Sequence, residues 1–271
     1  MRFLFCLLLA SSLALGVSAC GGPSQSTTLW KSSTIRQAKE RGRLIVALEP
    51  EFKPFEYVDE SGTLVGFDVD LARILAAEMK IDVEFVRVKW ESIMATLLTG
   101  KADLIMSGMT ATPERALKLS YSDPYFHTIT VLLVSKSRAA DVKSIADLNQ
   151  DGRIVAVKQG TTGDVAAHKR CPKAKIVSYP TENAAALEVA QGRADAFLYD
   201  LRSIQNHQAQ HPDSTFTILT PVSVEPYAIA FRKGDPDTHA WLNLVLHHLR
   251  LDGRLKDLYD KYDIQNVELG G

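Results

Sequence analysis

The sequence predicts an α/β fold of two similar lobes, each a mostly parallel sheet flanked by helices. Three observations carry that prediction. Short apolar runs of strand character alternate with amphipathic runs of helical period through most of the 271 residues. Leu44-Ile45-Val46-Ala47 is echoed by Ile154-Val155-Ala156-Val157. Gly100-Lys101-Ala102-Asp103, which closes a helix ahead of a strand, is echoed by Gly192-Arg193-Ala194-Asp195. A Gly-basic-Ala-Asp phrase alone is only a good helix stop. Paired with the strand echo, it indicates two lobes whose strand ends face a shared crevice, where open α/β sheets place ligands.

The chain begins with a targeting segment. After Met1 and Arg2 runs FLFCLLLASSLALGV, an apolar stretch of signal-peptide length, too short to favour a spanning helix. It ends in Val17-Ser18-Ala19-Cys20, which resembles a bacterial lipobox, so residues 1–19 read as a lipoprotein signal peptide and Cys20 as the lipidated first residue of the mature chain. An ordinary signal with Cys20 as a bystander is the plainer alternative. GGPSQSTT then opens a flexible tether, assigned to residues 20–34, whose composition buries too little surface to order it.

The alternation follows. The apolar run RLIVALE (43–49) reads as the first strand, then a helix at 68–79, a strand at 83–88, a helix at 91–99 and the strand ADLIMSG (102–108). A short helix at 113–118 precedes TVLLVSK (130–136) and RIVAVK (153–158), both strands. Helices at 162–169, 182–191 and 201–209 interleave with strands at 175–179, 194–200 and 216–220. YAIAFR (227–232) is the last strand, followed by helices at 236–251 and 254–262.

Composition excludes several function classes. With 46% hydrophobic and 23% charged residues the chain can build one large or two modest cores. A formal net charge of -1 argues against a nucleic-acid partner, which favours a concentrated basic face. Cys6 leaves with the signal and Cys20 is lipidated, so Cys171 has no partner for an internal disulfide, and no CxxC or HExxH spacing suggests a metal. His207 and His211 are four apart but have no acid beside them in sequence. No Walker motif occurs, and no cofactor is expected.

One stretch asks for a ligand. In SGMTATPER (107–115), Thr112 is a hydroxyl N-cap, Pro113 suits the first helical position and Glu114 is a first-turn acid. Arg115 then sits at the positive end of the helix dipole, which disfavours it unless an anion is near. A surface ion pair with Glu114 or Asp123 is the bland alternative, worth little.

From about residue 35 to 262 the chain resembles the extracytoplasmic solute-binding proteins of polar amino-acid ABC transporters, the family of the histidine, glutamine and lysine/arginine/ornithine receptors. The matching phrases, in order, are FKPFEY (52–57), GFDVDLA (66–72), GKADLIMSGMTATPER (100–115), SDPY (122–125), AVKQGTTGD (156–164) and GRADAFLYD (192–200). The resemblance implies the two-lobed periplasmic-binding-protein fold with a two-segment hinge, crossed near residues 126–129 and 224–227. Lobe 1 would be residues 35–126 plus 228–271, and lobe 2 residues 127–227.

The resemblance also implies a site. Arg115 would pair with a ligand α-carboxylate through its two parallel donors, joined by Thr110 and by the hydroxyls and amides around Thr161 and Thr162. Asp200 would receive the α-ammonium with the carbonyl of Gly108, unless it serves only as an N-cap for the helix that follows. Phe52 and Trp90 would stack on the ligand, and Glu49 matches an acid found in receptors for basic amino acids. Lys158 and Tyr199 cloud that preference, since Lys158 at the far side of the pocket favours a neutral or acidic side chain; basic over neutral is the narrow expectation. The ligand would be captured by hinge closure. It would then pass to a membrane permease with a separate ATPase, from a monomer held outside the cytoplasm, in the periplasm or at the cell surface, by lipid at Cys20. Two alternatives stay open: an enzyme similar to cyclohexadienyl (arogenate) dehydratases, with Asp164 as general acid if it reaches the pocket, or a receptor for a separate signalling protein.

Overall fold

The computed structural model describes residues 32–267. The expected signal peptide, Cys20 and the tether up to residue 31 lie outside the described residues. Thirteen strands are β1 (Arg43–Leu48), β2 (Glu51–Phe52), β3 (Glu56–Val58), β4 (Leu64–Val65), β5 (Asp82–Arg87), β6 (Leu104–Ile105), β7 (Leu119–Tyr121), β8 (Phe126–Ser135), β9 (Ile154–Lys158), β10 (Lys175–Tyr179), β11 (Ala196–Asp200), β12 (Thr215–Tyr227) and β13 (Ala230–Arg232). The helices are α1 (Thr34–Arg41), α2 (Phe67–Met79), α3 (Trp90–Leu98), α4 (Pro113–Ala116), α5 (Thr162–Arg170), α6 (Glu182–Ala190), α7 (Leu201–Gln210), α8 (Pro236–Leu251) and α9 (Arg254–Lys261).

Two five-stranded sheets organise these elements, in the orders β5-β1-β6-β13-β7 and β10-β9-β11-β8-β12. In each, four strands run in one direction and one against them, β13 in the first sheet and β8 in the second. Helices α1, α2 and α3 pack on the first sheet, α5, α6 and α7 on the second. The chain passes from the first sheet into β8 and returns through β12. These two strands pair antiparallel, Phe126 to Ile129 lying opposite Tyr227 to Val224. The crossings are therefore neighbours in one ribbon.

An aromatic seam joins the sheets at that ribbon. Phe55 lies 5.2 Å from both Phe126 and Tyr227, and Phe67 stacks on Tyr259 at 5.5 Å. Fully burying one such ring contributes about 1.5–3 kcal/mol. A second apolar layer, including Leu132, Val155 and Leu198, fills the other face of the second sheet under α5.

Local chemistry sets the helix starts. Thr112 caps α4, its hydroxyl accepting from Arg115 N at 3.1 Å with Pro113 in the first turn, as its sequence predicts. Thr161 caps α5 in the same way.

The structure adds elements that the sequence reading omits. Helix α1 begins at Thr34, capped by a buried Ser33 whose hydroxyl donates to Asp237 at 2.5 Å, so the last two positions assigned to the tether are ordered and packed. Strands β2, β3 and β4 form a small antiparallel sheet. The expected strand 102–108 pairs only at Leu104–Ile105, because Ser107 and Gly108 turn away to bond Glu56 and Asp68.

Candidate functional site

A tight cavity of about 20 Å³, partly open to solvent, lies between the sheets at the ends of their strands. It is lined from the first sheet's side by Glu49, Phe52, Trp90, Gly108, Thr110 and Arg115, and from the second by Lys158, Thr161, Thr162, Tyr199 and Asp200. All the side chains singled out in the sequence for ligand contact thus share one wall. Two further residues complete it, Glu56 and Ser107. Both lay inside matched phrases, FKPFEY and SGMT, and a glutamate amid the apolar Phe52 and Phe55 was the signal available.

Arg115 projects from the first turn of α4 into the cavity. Its Nη1 donates to Thr110 O at 3.0 Å and its Nη2 to Gly160 O, on the opposite side, at 3.2 Å. The guanidinium lies 5.3 Å from the Trp90 ring centroid. Its surroundings are these groups, and neither Glu114 nor Asp123 forms an ion pair with it among the described residues. Burial lowers its pKa, the field of Tyr121, Glu225 and Asp200 acting the other way.

Asp200 ends β11 at the N-cap position of α7, yet its side chain makes no capping hydrogen bond. The alternative of a cap role is therefore not what the carboxylate does here. Its Oδ1 is buried with no hydrogen-bond partner among the described residues. Burial first, then the charge of Glu225, push its pKa up to about 8.

Glu49 and Lys158 form the floor. Glu49 is 5% exposed and Lys158 2%. The Glu49 Oε1 accepts from Trp90 N at 3.0 Å, supplying the cap that Lys89 does not give α3. Its Oε2 takes the Lys158 Nζ as partner. That ammonium also sits 5.8 Å from the Trp90 ring and 5.9 Å from the Tyr199 ring.

Behind this floor is a chain of buried acids. Ser107 Oγ accepts from Glu49 N at 3.0 Å and donates to Glu56 Oε1 at 2.6 Å. Burial, then Asp68, raise the Glu56 pKa well above the ordinary carboxylate value. Asp68, raised by burial to about 7, accepts from Gly108 N at 2.7 Å and from the Tyr125 hydroxyl at 2.8 Å. It thereby fixes the Gly108 peptide at a φ of 50° beneath the Phe52 ring.

Thr161 places its hydroxyl on Lys158 O at 2.8 Å, which presents the first turn of α5 to the cavity beside Thr162. Asp164 is elsewhere: it is not on the cavity wall, and its Oδ2 accepts from Gly160 N at 2.8 Å. His207 is buried against Phe197, and α6 brings Glu182 Oε1 to 3.6 Å from its Nε2, an acid that is not adjacent in sequence.

The arrangement offers a bidentate cation and a carboxylate at one cavity, with aromatic walls and a balanced ion pair at its floor. A model of the bacterial extracellular solute-binding proteins, family 3, matches residues 44–265. A probable histidine-binding protein of Neisseria gonorrhoeae is 34% identical over 254 residues, covering 92% of this chain and 91% of the relative. Among solved structures, the ancestral amino acid-binding protein AncCDT-1, described as a precursor of cyclohexadienyl dehydratase, superposes with a TM-score of 0.78 at 40% identity, over 85% of this chain and 99% of its own. A putative ABC-transporter binding component of Wolinella succinogenes, complexed with lysine, has a TM-score of 0.78 at 37% identity, over 83% and 97%.

Proposed function

The chain belongs to the bacterial extracellular solute-binding proteins, family 3, and from that membership we propose that it is the receptor of an ABC importer, capturing a polar amino acid between its sheets for a membrane permease with a separate ATPase. One observation carries this reading most: Arg115 and Asp200, complementary to an α-carboxylate and an α-ammonium, converge on one cavity from different sheets. Thr110 and the first turn of α5, with Thr161 and Thr162, complete the carboxylate side; the Gly108 carbonyl assists the ammonium. Phe52, Trp90 and Tyr199 enclose the side chain. Closure of the two sheets, taken as lobes of residues 35–126 plus 228–271 and 127–227, bends the β8–β12 ribbon and favours the ligand only as far as the closed form binds it better.

The side chain is basic in the first reading, on Glu49, the aromatic walls, a relative named as a probable histidine-binding protein and a similar structure complexed with lysine. A second reading, a neutral polar side chain, is favoured by the hold of Lys158 on the Glu49 oxygen that a basic side chain would need. A binding protein rather than an enzyme is supported by Asp164, which is bonded to its own loop away from the cavity. The same proposal has the protein exported as a monomer and lipid-anchored at Cys20, so Cys20→Ala should move it from the membrane to the soluble fraction.

The test is a thermal-shift and calorimetric screen of refolded protein against all common amino acids, ornithine and arogenate. A native-state ligand must raise Tm by mass action. A shift with arginine, lysine, ornithine or histidine supports the first reading and one with glutamine the second. Turnover of arogenate with no amino-acid binding would overturn the receptor reading.

A further inference from the structure

Asp200 has a buried companion that the binding scheme leaves unused. Across the second sheet Asp200 lies opposite Thr130 of β8, and Thr130 lies opposite Ser223 of β12. Directly paired residues share a face, and so do residues two apart along a strand, so Asp200, Thr130, Ser223 and Glu225 all point to the same side. Glu225 is 1% exposed, and its Oε1 accepts from Thr130 Oγ1 at 2.9 Å and Ser223 Oγ at 2.5 Å. Neither Glu225 Oε2 nor Asp200 Oδ1 has a hydrogen-bond partner among the described residues. A buried carboxylate and a half-buried one, with one strand between them and each with an enclosed oxygen that lacks a partner, are costly to hold fully ionised.

We propose that Asp200, facing the Glu225 carboxylate across the sheet, holds a proton until an α-ammonium group arrives, so that ligand capture expels that proton to solvent. The inference rests on the receptor reading above, and it makes Glu225 a positioning residue that acts through Asp200. The balance is simple: the O–H bond of the Asp200 carboxyl breaks, its proton leaves for water, and the carboxylate pairs with an ammonium that was charged throughout. The groups facing Asp200 are Glu225 and Tyr227 from β12, Glu182 from α6, Lys158 from β9, Arg115 from α4 and its neighbour Tyr199. Of these, the acids oppose its ionisation while the Tyr227 hydroxyl and the two cations favour it, and burial decides the sum toward the protonated form, up to about 8.

Calorimetry with L-arginine and L-glutamine in phosphate and Tris, whose ionisation enthalpies differ, counts the protons. Near pH 7 close to one proton should be released per amino acid bound. The association constant should then rise about tenfold per pH unit between pH 6 and 7 and level off near 8. Glu225→Gln should cut the proton count to less than about half and flatten that slope; a purely structural role would weaken binding equally at every pH with the slope kept. Binding with no proton release overturns the coupling alone. Absence of binding by any amino acid overturns the receptor reading and the coupling with it. Should Glu225→Gln fail to fold, the wild-type proton count decides by itself.

Discussion

Lys158 reaches across from the second sheet and takes Oε2 of Glu49, while the other oxygen of the same carboxylate caps the helix that carries Trp90. Both oxygens of the Glu49 carboxylate are thus engaged by the protein itself. Lys158→Met frees Oε2 at the cost of a buried pair, and breaking such a pair typically costs about 3–5 kcal/mol. We expect a lower Tm, and a shift of the arginine-to-glutamine affinity ratio toward arginine by about tenfold or more. Isothermal titration of both amino acids checks it; an unchanged ratio would show that Lys158 does not set side-chain preference.

Arg115 donates from two guanidinium nitrogens, to Thr110 O and across the cavity to Gly160 O. A lysine has neither the fork nor the reach to two acceptors. Losing one charged hydrogen bond costs about 1.5–3 kcal/mol, so Arg115→Lys should weaken amino-acid binding roughly ten- to hundredfold. Circular dichroism should show the fold intact. Affinity within twofold of wild type would remove Arg115 from the site.

Stability should depend on pH in an unusual direction. Asp68 and Asp200 have folded pKa values raised to about 7 and about 8 by burial, and Glu56 is raised as well. Such groups contribute stability that is fully present below their unfolded values, near 4, and is lost as pH rises through the folded values. Exposed acids held low, such as Asp59 and Asp147, act only at lower pH. The Tm without amino acid should therefore fall between pH 5 and 8, and Asp68→Asn should flatten the fall. A Tm that climbs over that range would contradict the burial argument.

Gly108 holds a φ of 50°, and a Cβ there would come within 2.5 Å of the Phe52 ring. The ring is itself packed on Phe55 at 5.1 Å and on Tyr199 at 5.8 Å, so it has little room to withdraw. Overpacking of this kind costs about 1–3 kcal/mol. Gly108→Ala should lower the urea midpoint accordingly and weaken binding by displacing Phe52; an unaltered midpoint would mean that the ring moves freely.

How much of this was legible depended on range. The α4 cap is written in adjacent residues, Thr112, Pro113 and Glu114, and was readable as sequence. Most of the wall residues were readable because matched phrases carry them, while Glu49 and Trp90 lie outside those phrases and were read from their positions after β1 and ahead of α3. The Lys158–Glu49 pair spans 109 positions and links two sheets, and no local pattern encodes it. Glu56 and Ser107 were missed for the same reason: they meet only once β3 and the end of β6 are brought together. Helix α1 escaped because only Thr34 and Ala38 on it are buried, too thin an apolar stripe to mark a period. Strands β2 to β4 are two or three residues long, too short to alternate visibly.

Strand β13 lies between β6 and β7 in the first sheet, although about a hundred residues separate it from them in the chain. During synthesis the second sheet has all its strands once Tyr227 has emerged, while the first still has a gap between β6 and β7. A chain halted at residue 228 could complete the Asp200 half of the cavity, but the half bearing Arg115 would expose two unpaired strand edges, a natural target for chaperones. The order of assembly is therefore fixed by topology: the half that supplies the carboxylate comes first, and the half that supplies the guanidinium waits for β13.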